Sequence, residues 1–367
     1  MYVGPGPEWD TERWQRAIPT SITTTQRIEV WSEGIMLTES APGILDGAVT
    51  HDWVTAGVSR SLSMMVDPSR AWLRLLSLPS LEIRPWQGIR FSRRLTMECP
   101  LGVFPVQPPA QSLPATAIQI QAADYMEWVV DGDFIDTPIP RPAGRLIDAI
   151  GWLVAGAGLP KPINRSAATG SSPQVLLEGT RIDALADAAR AAGVEVTADR
   201  NGDPQITDAQ PLGPAVSKLL TGTGGTCIGV RSEPNWSQVH NVVSVKSSAS
   251  GVEFPAVTAS IGWTGHPAHP FRLGSPQRPR YKVLHYSSPL LMNAEQAAAT
   301  GRTILAREAA VAETYSYDAF PDPTRDAGDS TLGATPTGNR TLQIMQTVHP
   351  LRQVPARVTS ASTAVML

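Results

Sequence analysis

The sequence predicts a mainly β protein carrying a small α+β insert, and three observations support that class. Its 33 prolines and 30 glycines are spread along the chain, as turns between many short strands require. Segments of alternating Val, Ile, Trp and Met occupy both ends, the period-2 pattern of half-buried strands. Between them lie two stretches with apolar residues at helical spacing, each bounded by start and stop residues.

Taken in order, residues 1–25 are polar and contain Pro and Gly, yet they hold Trp9 and Trp14, large apolar groups that a solvated tail has no reason to carry. A docking arm that places both tryptophans at a subunit interface is one expectation; folding back on its own domain is the other. Over residues 26–140, Ile28 and Val30 precede Ser32-Glu33-Gly34, and Ile35 and Leu37 follow, as two strands about a tight turn. Val49 to Val66, Leu81 to Phe91, Leu101 to Val106 and Ala117 to Gln121 add further strands, a meander that closes as a barrel or a sandwich.

Residues 141–215 change character. Ile147, Ile150 and Val154 fall at helical spacing between Pro142 and the stop signals Gly156, Gly158 and Pro160. Ile182, Leu185, Ala186 and Ala189 repeat the pattern before Gly193. Val194 to Thr197 and Gln205 to Thr207 then flank Asp199 to Asp203 as a hairpin, completing a small α+β module. Residues 216–367 return to strand at Val239 to Ser247, Ala256 to Trp263, Leu342 to Val348 and Ala356 to Ala361. Asn293 with Gln296 forms a capping box for an Ala-rich helix near residues 293–309.

A length of 367 residues exceeds what one core usually serves. With 42% hydrophobic residues, 17% charged and a net charge of -3, the chain lacks the basic excess that nucleic-acid backbones demand. Cys99 and Cys227 lie far apart, which argues against a zinc knuckle or a disulfide scaffold and for buried, inert thiols. Met1 to Asp10 has Pro5, Pro7 and Glu8 where an export signal needs a basic start and an apolar run. Leu146 to Leu159 is too short to span a bilayer and is broken by Asp148, so stable membrane insertion is not expected.

The residues that could carry chemistry each have a plainer reading. His266 and His269 stand at i, i+3 among prolines that forbid a helix, so a solvated loop is expected in place of a metal pair. Asp199-x-Asn201-x-Asp203 imitates a calcium loop, but Pro204 and Gln210 occupy its obligatory Gly and Glu positions. Asp131, Asp133 and Asp136 read as a charged turn. Thr221 to Thr226 has glycines but no Walker lysine and reads as a linker. Cys227 with His240 lacks a third, orienting group. No catalytic, cofactor-binding or metal-ligating residue is assigned.

Seven segments, in order, carry a resemblance. They are Gln87 to Phe91 with Glu98 to Phe104; Ala123-Asp124-Tyr125 with Phe134; Ala192 to Val196; Asn201-Gly202-Asp203; Asn241 to Val245; Ser287 to Leu291 leading into Ala294 to Leu305; and Ala327-Gly328-Asp329. Together they resemble the tail-tip hub, or minor tail, proteins of long-tailed actinobacterial phages, which are similar to the baseplate hub of contractile tails. Tyr317 to Asp326 departs from that pattern, with Pro321-Asp322-Pro323 where a more apolar turn is expected.

The resemblance implies two tail-tube-like β-barrel domains and a structural, non-enzymatic role without cofactors. It also implies a ring of three copies that adapts a sixfold tail tube to threefold tip components. The implied partners are further copies of the chain, a distal tail protein or the tail tube, a tape measure protein, and other tail-tip and receptor-binding proteins. The implied location is the virion tail tip, with assembly in the host cytoplasm. Some hubs carry a fused cell-wall hydrolase; none is expected before Leu367. The alternatives are a carbohydrate-binding tail adhesin and a cell-wall hydrolase.

Overall fold

The computed structural model describes residues 23–90, 96–107, 116–134, 139–141, 144–177, 179–209, 213–222, 225–234, 239–262, 266, 268–310, 313–352 and 356–361. The expected arm with Trp9 and Trp14 lies outside them. The class is mainly β with α+β, as the patterning predicts.

The N-terminal region contributes β1 (Thr23–Ser32), β2 (Ile35–Thr38), β3 (Ile44–Asp52), β4 (Arg60–Val66), α1 (Arg70–Leu75), β5 (Leu81–Arg90), β6 (Thr96–Pro100), β7 (Phe104–Pro105) and β8 (Ile118–Ala123). Glu33 and Gly34 both take positive φ, 50° and 78°, the backbone that a two-residue hairpin turn demands. Strands β2-β1-β5-β6, with β7 beside β5, make one sheet, while β3, β4 and β8 belong to another. The two layers share a core in which Val30, Ile83 and Phe104 meet Leu62 and Ile120, and Trp72 of α1 is fully buried.

The middle region holds α2 (Glu127–Asp131), β9 (Ile139–Arg141), β10 (Gly144–Arg145), α3 (Leu146–Ala155), β11 (Ile163–Asn164), β12 (Ser171–Ser172), β13 (Val175–Leu177), α4 (Arg181–Ala192), β14 (Val194–Ala198) and β15 (Pro204–Asp208). Helix α4 starts where the Thr180 side chain accepts the Asp183 N–H at 3.2 Å, and it stops at Gly193, whose φ of 68° needs no Cβ penalty.

The remainder supplies β16 (Ser217–Leu219), β17 (Cys227–Pro234), β18 (Val242–Ser247), β19 (Val257–Ser260), α5 (Pro270–Leu273), β20 (Val283–Ser288), α6 (Ala294–Ala310), β21 (Glu313–Ala319), β22 (Ser330–Thr335), β23 (Gly338–Pro350) and β24 (Ala356–Ala361). Asn293 accepts the Gln296 N–H at 2.8 Å at the start of α6. Strands β19-β18-β20 pack under α6 and α4, so one core runs from Leu153 and Leu185 to Val243, Val245 and Leu305. That core joins segments on both sides of residue 215.

The largest sheet has nine strands in the order β17-β21-β24-β23-β3-β4-β8, with β22 beside β23 and β16 beside β22. Its centre is the antiparallel pairing of β3 with β23, in which Thr347 faces His51 and His349 faces Val49. The expected barrels are open sheets among the described strands. The β3 edge that could return to the N-terminal layer is taken by β23 instead. Because cross-strand partners share a face, Arg60, His51 and Thr347 lie on one side of this sheet in a row. That side is also the one covered by the N-terminal core and by the core of Tyr315, Tyr317, Ile344 and Val358. No helix of the described residues is long and apolar enough to cross a membrane.

Candidate functional site

A charged junction forms where β3 and β4 of the nine-stranded sheet, the β14-β15 hairpin and the loop between β21 and β22 meet. The sheet presents His51 and Arg60 side by side, the hairpin tip presents Arg200, and the loop presents Asp326. The Asp326 carboxylate accepts from Arg60 Nη2 at 2.8 Å and Arg200 Nε at 3.0 Å, and lies 2.9 Å from His51 Nδ1. His51 Nδ1 is also 3.1 Å from the Ala327 N–H, so its tautomer decides which neighbour it serves. Arg200 continues to Cys99 Sγ and the Pro323 carbonyl.

The electrostatics follow from this geometry. Burial alone would raise the Asp326 pKa, but Arg200, then Arg60 and His51, hold it well below the usual carboxylate range. Burial, and then the charge of Asp326, push Asp329 up to about 7. Asp329 Oδ2 accepts the Asp326 N–H at 2.9 Å. Burial, reinforced by Arg200, lowers His349 to about 3. The junction opens onto a cleft of about 260 Å³ lined in part by Asp52, Trp53, Glu195, Asp329 and Gln343.

Two further contacts brace it. Glu195 of β14 accepts from Trp53 Nε1 and Arg307 Nη2, both at 2.5 Å, and Arg307 of α6 stacks over the Trp53 ring at 4.3 Å. Arg325 and Asp322 form a pair at 3.3 Å with side chains almost wholly buried, and Arg325 reaches the Lys218 carbonyl at 3.4 Å. The Pro321-Asp322-Pro323 loop is therefore a polar anchor where the resemblance implies a more apolar turn.

The residues weighed from sequence are dispersed. His266 is fully buried and its Nδ1 accepts the Ala268 N–H at 3.1 Å, while His269 Nδ1 accepts the Phe271 N–H at 3.2 Å. These are backbone caps in an ordered turn, in contrast to the solvated loop expected. Asp199 Oδ1 accepts the N–H groups of Asn201 and Asp203 at 2.8 and 3.0 Å, so the hairpin turn forms. Asp131 ends α2 and Gly132 gives its carbonyl to Arg181; Asp136 lies outside the described residues. Thr221 to Thr226, read as a linker, connects two strands of one sheet, with Cys227 N–H donating to Leu220 O at 3.0 Å. Cys227 Sγ donates to Gly229 O at 3.1 Å, and His240 Nδ1 sits 2.6 Å from Glu308; the two are engaged separately. Both thiols are pushed up by burial.

The junction brings charges together without an exposed nucleophile, and its chemistry is that of a fastening. Its residues carry no motif, because Asp326 meets partners far away in sequence.

The fold as a whole is that of bacteriophage tail proteins. The 43 kDa tail protein of prophage MuSo2 from Shewanella oneidensis matches with a TM-score of 0.61 and 14% identity, over 91% of this chain and 98% of that one. The tail protein from Neisseria meningitidis MC58 matches with a TM-score of 0.64 and 11% identity, over 93% and 97%. The E. coli c3393 protein is a type VI secretion component described as similar to the T4 tail proteins gp27 and gp5. It matches with a TM-score of 0.50 and 10% identity, over 90% of this chain and 75% of that one. No protein-family model and no curated protein matches the sequence.

Proposed function

We propose that this chain is a structural virion protein that forms the hub at a phage tail tip, a ring of three copies adapting a sixfold tube to threefold tip components. The observation that carries the reading is the near end-to-end correspondence with two tail proteins, one of them from a prophage, over more than nine-tenths of both chains. In this reading the chain has no chemistry of its own, and its charged junction serves rigidity. Residues 1–25 are the docking arm with Trp9 and Trp14 at the interface, residues 26–140 and 216–367 are the tube-like portions, and 141–215 the α+β module between them. Its partners are further copies, a distal tail protein or tail tube, a tape measure protein and other tail-tip proteins. The actinobacterial, long-tailed origin belongs to the same proposal.

Native mass spectrometry of the chain, alone and co-expressed with neighbouring tail proteins, tests this. A threefold assembly is expected. A persistent monomer under both conditions overturns it.

A second reading, a carbohydrate-binding tail adhesin, draws on Trp128 of α2 and Trp152 of α3, which are 43% and 44% exposed. It predicts that the isolated protein binds host cells and that Trp152→Ala abolishes that binding, whereas a hub shows neither effect.

A further inference from the structure

Charge is unevenly distributed along this chain. No Asp or Glu stands between Glu253 and Glu295, although that stretch carries Arg272, Arg278, Arg280 and Lys282. The net charge of -3, which argues against nucleic acid for the chain as a whole, conceals a segment of the opposite sign.

The fold turns that segment into a built surface. Residues 268–282 form a loop whose backbone is fastened from within. The fully buried Asn241 side chain donates to the carbonyls of Ala268 and Arg280 at 3.1 and 2.8 Å and accepts the Lys282 N–H at 2.7 Å. The Arg280 N–H donates to the Pro270 carbonyl at 3.0 Å, which draws the two halves of the loop together. With the backbone satisfied internally, side chains are left on the outside: Phe271 is 43% and Tyr281 59% exposed, and Arg278 and Arg280 are exposed as well. Among the described residues these two arginines form no ion pair, whereas Arg27, Arg60, Arg200 and Arg307 each meet a carboxylate.

The loop runs directly into β20, and the same character continues on the β19-β18-β20 sheet. One face of that sheet buries Val243 and Val245 under α6. The opposite face presents Thr258, Ser244 and His285 in one row and Lys246 with Ser287 in the next. None of the three strands contains an acidic residue. The surface therefore offers cations, hydroxyls and two exposed rings, and nothing on these strands repels an anion.

We propose that this loop and sheet face bind single-stranded nucleic acid without regard to its sequence. Phosphates meet Arg278, Arg280 and Lys246 together with the hydroxyl groups of the sheet, and unpaired bases stack on Phe271 and Tyr281, the combination of basic track and aromatic platform that single strands require. The path from Tyr281 to Ser287 is about 20 Å long, room for about four nucleotides, the lower end of single-strand sites. A duplex is a poorer fit, because its bases are already stacked and the four-residue α5 is too short to enter a groove. An acidic polypeptide would satisfy the cations and leave both rings without planar partners. The proposal does not depend on how many copies assemble, so it stands or falls apart from the hub reading.

Fluorescence anisotropy of the full chain with a labelled oligothymidylate of about 20 nucleotides tests the site. Saturable binding is expected in about 50 mM salt, in the range of nonspecific nucleic-acid affinities, tighter than for a duplex of the same length or for polyglutamate as competitor. Tyr281→Ala is expected to weaken it about tenfold. The double variant Arg278→Gln with Arg280→Gln should make the dependence of log affinity on log salt shallower by about 1.4, the release of two phosphate contacts on a single strand. Arg357→Gln, which removes an exposed cation from the nine-stranded sheet, should leave affinity and salt dependence as in the parent. Thermal unfolding checks that all three variants are folded.

No saturable binding with protein at roughly 100 μM overturns the proposal, as does a loss with Arg357→Gln equal to that of the loop variants. Duplex bound as tightly as single strand overturns it too. Polyglutamate that competes on equal terms, with Tyr281→Ala without effect, would replace nucleic acid by an acidic protein partner.

Discussion

Asp326 makes more of the fold's distant connections than any residue whose role is legible in a motif. Its partners His51, Arg60 and Arg200 lie 275, 266 and 126 positions away. Asp326→Asn should cost about 2–4 kcal/mol in chemical denaturation, because two guanidinium groups lose their counter-charge. The figure sits below that of a dry pair because the carboxylate keeps 31% of its surface open. The acid limb of stability has a definite sign: Asp326 titrates well below its unfolded value, so its contribution is complete above about pH 4 and is lost as the pH falls further. His349, lowered to about 3, adds to that limb, since its neutral form is favoured in the fold and stability falls below about pH 6.5. Asp329 works in the opposite direction. Raised to about 7, it favours the fold below about pH 4 and loses that contribution as the pH climbs through 7. Asp329→Asn keeps an oxygen for the Asp326 N–H, so it should raise the Tm most at pH 8, less at pH 5, and leave it nearly unchanged only below about pH 4. None of this is visible in the sequence beyond the oddity of Pro321-Asp322-Pro323, because charges separated by hundreds of residues leave no spacing to read.

Elements governed by local physics were legible. The α4 helix begins and ends where its apolar spacing and Gly193 indicate, and the Asp199 hairpin follows its turn residues. Gly193→Ala should cost about 1 kcal/mol, from backbone strain alone, since an added Cβ meets nothing within 4 Å. Thr180→Ala should cost about 1 kcal/mol by freeing the Asp183 N–H. Thermal unfolding of the two single variants measures both. The His266 to His269 turn was misjudged from sequence because His and Pro are read there as loop formers, whereas both imidazoles satisfy backbone amides internally. Thr221 to Thr226 was misjudged for a related reason: Gly-Thr composition fits a linker and a tight turn equally, and only the pairing of β16 and β17 within one sheet decides.

At the scale of the whole molecule, the class was predictable and the pairing was not. Alternation identifies β3 and β23 as strands, but nothing in either says that they are neighbours. The open arrangement follows from that single adjacency, since β23 occupies the edge that a self-contained N-terminal barrel would need. A chain ending before Gly338 should therefore fail to give a soluble N-terminal domain, because β3 would expose an unpaired edge; size-exclusion chromatography and amide exchange of that fragment provide the check.

The β3 to β23 pairing also sets a clock. During synthesis, β3 leaves the ribosome about 290 residues before β23 begins, a delay of roughly 15 to 60 s at ordinary translation rates. Throughout that interval the sheet has no centre. A polypeptide interrupted midway therefore lacks the strand that joins the two halves of the sheet, so the fold itself marks an unfinished chain by an exposed edge at β3.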